Sequence, residues 1–175
     1  MDADLRFIAE ATGASSVKRG ARIQSLWGGY GELHRVHLEG ARHATAIVKS
    51  ARPPAHQESG ASFAHARKCR SYDVETAWYQ RFAARCDERS RVATLLASRR
   101  GDQRWLLVLE DLDAAGFSLR RHDPSEAELL ACVAWLAHFH ARFFGVAPDG
   151  LWEEGTYWHL ATRPDELTAI DDRAL

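Results

Sequence analysis

Residues 23–49 decide the architecture. They read Ile23-Gln-Ser-Leu26, then Trp27-Gly28-Gly29-Tyr30-Gly31, then Glu32 and Leu33-His-Arg-Val-His-Leu38, a Glu39-Gly40 turn, and Ala44-Thr-Ala-Ile-Val48-Lys49. Leu33 to Leu38 alternates in the two-residue period of a strand, and apolar runs lie on either side. Short turns between them predict three strands in an antiparallel meander.

The flanks extend this pattern. Upstream, Asp4 to Thr12 puts Leu5, Ile8 and Ala9 on one helical face, and Gly13 stops the helix. Downstream, Arg52 to Gly60 holds Pro53-Pro54 and Ser59-Gly60 and reads as a loop. A long helix is expected from about Ser62 to Cys86. Val92 to Ala97 and Trp105 to Leu109 read as two more strands, turning at Arg99-Arg100-Gly101-Asp102. Glu110 to Gly116 connects to a second long helix. Asp123 is its expected N-cap, Pro124 its first position and Gly145 its stop. Pro164 is expected to start a last helix. The fold class predicted is α+β.

Composition narrows the function. The chain has 175 residues and a net charge of -1, which argues against a dedicated nucleic-acid binder. At 46% hydrophobic and 27% charged residues, wholesale disorder is excluded. The longest apolar run, Leu129 to Ala137, is nine residues, half of the ~18 that a membrane span needs. Three cysteines, Cys69, Cys86 and Cys132, form no C-x-x-C pair, and the acidic N-terminus leads into no signal-peptide core. The expectation is a cytoplasmic protein that meets neither nucleic acid nor membrane.

Arginine outnumbers lysine 20 to 3, and asparagine is absent. A lysine retained against that bias suggests a need for a compact point charge. Lys49 closes the Ala46-Ile-Val-Lys49 strand, although a strand-end lysine facing water has the same local signature. On the first long helix, Tyr72, Glu75, Tyr79 and Phe82 share one seam. A carboxylate within an aromatic seam is costly without a cation, and Lys49 is the nearest candidate upstream, although a Glu75 at the edge of the stripe is simply solvated. The Gly28, Gly29 and Gly31 turn lets backbone approach a ligand closely and is also an ordinary hairpin turn. Leu106 to Asp113 runs from a buried strand into an acidic connector. The Arg67-Lys68-Arg70 cluster reads as a solvated face, with an anion or polynucleotide site as the alternative, one without aromatic partners close by in sequence. Nine histidines give no metal signature: His138 and His140 are two apart, so they diverge on a helix, and Cys132 completes no ligand set.

These residues, in this order, resemble protein-kinase-like small-molecule phosphotransferases, the superfamily of aminoglycoside phosphotransferases, choline kinases and ecdysteroid-kinase-like proteins. The Gly28–Gly31 turn resembles the loop over ATP phosphates. Ala46-Ile-Val-Lys49 resembles the third-strand lysine motif, and Tyr72-Asp-Val-Glu75 the helix whose Glu holds that lysine. Leu107 to Leu112 is similar to the adenine-docking hinge. Leu136-Ala-His-Phe-His140-Ala141 resembles the first large helix of the C-lobe, and residues 151–167 look most like bacterial ecdysteroid-kinase-like sequences.

The resemblance implies a kinase-like N-lobe over 1–112, a five-stranded antiparallel sheet with a long helix, and the opening of a helical C-lobe over 113–175. It implies ATP-dependent phosphorylation of a hydroxyl on a small-molecule acceptor. The implied cofactor-binding residues are Gly28, Gly29, Gly31, Lys49, Glu75, Glu110, Asp111 and Leu112. The family's acceptor-orienting Asp and Mg²⁺-binding Asn have no counterpart in these residues, so no catalytic or metal residue is assigned, and the chain is expected to be truncated and inactive alone. A non-catalytic nucleotide-binding or protein-interaction module is the alternative. The apolar face of the 129–144 helix is expected to be uncovered and to drive self-association.

Overall fold

The computed structural model describes residues 2–54, 63–155, 159–164 and 168. The elements are α1 (Ala3–Thr12), β1 (Ser16–Ser25), β2 (Gly31–Glu39), β3 (Thr45–Ala51), α2 (Phe63–Arg81), β4 (Leu95–Gly101), β5 (Arg104–Glu110) and α3 (Glu126–Phe143). The strands form one open sheet in the order β1-β2-β3-β5-β4, with every neighbour antiparallel. The fold is therefore mixed α and β, and β1-β2-β3 is the meander that the alternation predicts.

Both faces of the sheet are covered. Val36 and Leu38 of β2, Ala46 and Val48 of β3, and Leu106 and Val108 of β5 are buried with Ile8 of α1. On the opposite face Ala51 and Trp105 pack with Tyr30 and with Tyr72 of α2. The Tyr72 and Trp105 rings stand 5.3 Å apart. A strand covered on both sides loses its polar alternation, which is why Trp105 to Leu109 is a continuous apolar run, all of it buried.

Helix α1 is fixed by both ends and by one charge. Asp2 caps its N-terminus and Gly13, in the left-handed region at φ 71°, closes it. The Asp4 carboxylate, 5% exposed, pairs with Arg99 of β4 and Arg104 of β5. Helix α3 is attached more lightly. Ser125 and Glu128 form its capping box, and none of its residues is buried. Trp135, Phe139 and Phe143 recur every four residues along one edge. Phe139 faces Trp78 at 6.2 Å, Phe143 faces Phe82 at 6.3 Å, and Trp135 Nε1 donates to the Arg91 carbonyl. Leu129, Leu130, Val133 and Leu136 stay exposed. No described helix is long and apolar enough to cross a membrane.

Several boundaries differ from expectation, each for a local reason. Strand β1 begins at Ser16 rather than Ile23 and ends before Leu26. It is an edge strand, mostly exposed, with Ile23 itself 49% exposed, so apolar runs do not mark it. Strand β4 starts at Leu95, not Val92, and runs through Arg99 and Arg100. Both arginines are held along the strand: Arg99 by Asp4, and Arg100 by Asp73 while lying 4.2 Å from the Trp105 ring centroid. The hairpin consequently turns at Asp102-Gln103, where Gln103 takes φ 46°. Strand β3 continues to Ala51, so Lys49 is internal to it. Helix α2 stops at Arg81, before Cys86. Phe82 leaves the helix at φ -118° and is still buried. The N-cap of α3 is Ser125 rather than Asp123. The expected helix start at Ser62, most of the final helix, and residues 156–158 and 165–167 of the tail motif lie outside the described residues.

Of the buried polar groups, His34 of β2 is the least compensated. It is 3% exposed, neither ring nitrogen has a hydrogen-bond partner, and the nearest carboxylate oxygen, on Glu32, is 3.8 Å from Nδ1. Burial, then Arg19, lowers its pKa, against the opposing pull of Glu32, Asp4 and Asp2. The unfolded chain therefore takes up this proton before the folded one. The associated stability is complete above the ordinary histidine pKa, roughly 6.5, and is lost as pH falls below it. Denaturant midpoints measured from pH 7.5 to 5.5 are expected to fall in the wild type and to fall less steeply in His34→Leu.

Candidate functional site

Strand parity aims Lys49. Ala46 and Val48 point to the α1 face, so Lys49 projects to the α2 face, between Leu33 of β2 and Leu107 of β5 in register. On α2, Glu75 stands one turn beyond Tyr72. Lys49 Nζ donates to both carboxylate oxygens of Glu75, at 2.7 and 2.5 Å, and lies 5.5 Å from the Tyr72 ring centroid. The two side chains are 19% and 30% exposed. Partial burial makes the contact stronger than a surface pair and makes either partner costly to leave alone. Of the three lysines, this one has the paired, inward position that its scarcity suggested.

The pair opens onto a cavity of about 770 Å³ between α2 and residues 146–155, with Lys49, Lys68, Tyr72, Glu75, Trp78 and Trp152 on its walls. Arginines of α2 fasten the outer wall: Arg70 donates to the Leu151 carbonyl and Arg81 to the Asp149 carbonyl, both at 3.2 Å. Asp149-Gly150 is the turn that the sequence suggests, closed by Leu151 N–H on the Pro148 carbonyl. The solvated-face reading of the basic cluster is overturned. Lys68 Nζ has three rings around it, Trp27 at 5.9 Å, Tyr30 at 6.0 Å and Tyr72 at 5.5 Å, while Arg67 donates to the Thr162 carbonyl. Lys68 and Tyr72 are four residues apart on a helix, and that spacing was the available signal for this cluster.

The glycine turn is a short 3-10 segment, Trp27–Gly29, entering β2. Gly28 and Gly29 take φ 72° and 76°, and Gly31 takes φ 133°. Gly31 is also sterically obligatory: a Cβ there would lie 2.0 Å from the Ser50 carbonyl oxygen of β3. Tyr30 ties the turn to α2 through a 2.7 Å hydrogen bond between its hydroxyl and His65 Nδ1.

Glu110, Asp111 and Leu112 of the connector are not on the walls of this cavity. Their side chains have other partners. Arg91 holds Glu110 and, against burial, lowers its pKa to about 2. Burial pushes the Asp111 pKa up, but hydrogen bonds from Arg35 and Thr45 outweigh it and hold the carboxylate ionised. In the main chain, Glu110 N–H donates to Thr94, and the carbonyls of Asp111 and Leu112 accept from Ala115 and Phe117. Leu112 N–H is left without a partner among the described residues. The structure thus joins Lys49 and Glu75, and gives the connector side chains Glu110 and Asp111 partners of their own.

Among the described residues no three His, Cys, Asp or Glu side chains group as metal ligands. Cys69, Cys86 and Cys132 are free thiols. No protein-family model matches the chain, and no curated protein matches it.

Two stability measurements probe this geometry. Glu75→Gln and Lys49→Met are each expected to cost roughly 1 kcal/mol, while the double variant costs less than their sum, because only single changes strand a charge. Chemical denaturation of the four proteins checks it. Gly31→Ala is expected to destabilise well beyond Gly29→Ala. The latter meets nothing within 4 Å and incurs only the left-handed backbone cost, about 1–2 kcal/mol.

Proposed function

We propose that these residues are the nucleotide-binding part of a protein-kinase-like small-molecule phosphotransferase, with β1–β5 and α2 as its N-lobe. The observation that carries the reading is the two-oxygen contact of Lys49 with Glu75, between the third strand and the helix that follows it. In phosphotransferases of this kind such a pair holds the lysine for the α/β-phosphates. Three features support it: a glycine turn between the first two strands, α2 on the face to which Lys49 points, and a connector after the fifth strand with Leu112 N–H available.

In this reading Lys49 contacts the α/β-phosphates of ATP and Glu75 fixes its position. The Gly28–Gly31 turn covers the phosphates, and the main chain over Glu110–Leu112 receives adenine. ATP supplies the phosphoryl group for the acceptor hydroxyl. The protein's part is positioning and charge neutralisation. The residues present do not make a Mg²⁺ site of the family's kind, since asparagine is absent and no acidic cluster of three forms among the described residues. That observation favours a second reading for these 175 residues, a nucleotide-binding module without turnover of its own.

Calorimetric titration with ATP, with and without Mg²⁺, tests the proposal. ATP is expected to bind the wild type, and Lys49→Ala is expected to weaken it about tenfold or more, the loss of one charge-assisted contact. Absence of binding at millimolar ATP would sink the nucleotide reading. Phosphoryl transfer or ATP hydrolysis that disappears in Lys49→Ala would sink the module reading.

A further inference from the structure

The cavity beside Lys49 has a second cation on its wall. Lys68 forms no ion pair among the described residues. Glu75 is taken by Lys49, and Glu153, the other acidic residue of the wall, is exposed and reaches neither lysine. In place of a counter-ion Lys68 has the faces of Trp27, Tyr30 and Tyr72. Burial, followed by repulsion from Lys49, lowers its pKa. A cation drawn out of water without a carboxylate costs folding free energy, and aromatic faces return only part of it. In a chain that otherwise uses arginine, each fork-shaped clamp between elements is an arginine, and the two cavity cations are lysines.

The two ammonium groups share one ring. Each lies 5.5 Å from the Tyr72 centroid, so they are no farther apart than twice that distance. Trp78 and Trp152 add flat apolar surface to the same cavity, whose volume suits a small molecule. Lysine binds phosphate as a point charge.

We propose that Lys49 and Lys68 form a two-cation site for adjacent anionic groups of one polyphosphate-bearing ligand, with Lys68 taking the group that Lys49 does not. The identity of that ligand as a nucleotide rests on the function proposed above; the two-cation site itself does not. Lys68 is then a binding residue that a purely structural account of the fold leaves unpaired.

The experiment compares wild type and Lys68→Met, which keeps the aliphatic stem among the rings and removes the charge. Calorimetry with ATP, AMP and inorganic tripolyphosphate is run beside thermal unfolding without ligand. The proposal expects ATP and tripolyphosphate to bind Lys68→Met about tenfold or more weakly, AMP affinity to stay unchanged, and the melting temperature to hold or rise. Lys68→Gln, measured in parallel, is expected to show the same loss of affinity. A structural clamp would give the reverse, a lower melting temperature with unchanged affinities, and would overturn the proposal. Tripolyphosphate bound by wild type without ATP overturns the nucleotide reading alone. Neither ligand binding wild type overturns both.

Discussion

The sheet has helix on both faces, and most of what is specific about this protein follows from that. A polar side chain pointing from β3 or β5 into either layer loses much of its water, and a partner there offsets the loss. Lys49 meets this condition with Glu75 and the Tyr72 ring. The contact also links the centre of the sheet to α2.

The same condition governs the edges of the layers, where arginine does the joining. Arg99 and Arg104 grip Asp4 and hold α1. Arg35 reaches Asp111 and Asp113, and Arg120 also reaches Asp113, which folds the connector against β2. Arg142 pairs with Asp87 and adds a charged tie of α3 to the segment before β4. A guanidinium offers several donors in a rigid plane, which suits bridging two elements. Lysine, a compact point charge, stands at two points of the cavity wall.

Legibility in the sequence followed physical contrast. Lys49 and Glu75 stood out because a rare lysine in an apolar strand and a carboxylate in an aromatic seam are each expensive alone, and each implied the other. The three-strand meander was readable from the alternation of Leu33 to Leu38. Strand β1 was only partly readable, since an edge strand built from Val17-Lys-Arg-Gly-Ala-Arg22 carries no apolar period. The end of β4 was hidden for a related reason. Arg99 and Arg100 look like turn residues until Asp4 and Asp73, distant in sequence, are seen to neutralise them. Lys68 was misread because its neighbours Arg67 and Arg70 suggested a charged surface, while its rings come from residues 27, 30 and 72. Tyr72, four residues on, was the local signal, whereas the contacts of Trp27 and Tyr30 depend on the chain folding back across about forty residues and leave no trace in local composition.

Helix α3 contributes no buried residue and rests on the rest of the molecule along the single edge of Trp135, Phe139 and Phe143. The sheet, by contrast, has its central strands closed on both faces. The two parts therefore need not open together. Amide protons of β3 and β5 are expected to report the whole-molecule opening, and those of α3 to exchange through a less costly detachment. The lighter attachment belongs to the helix whose apolar side faces outward.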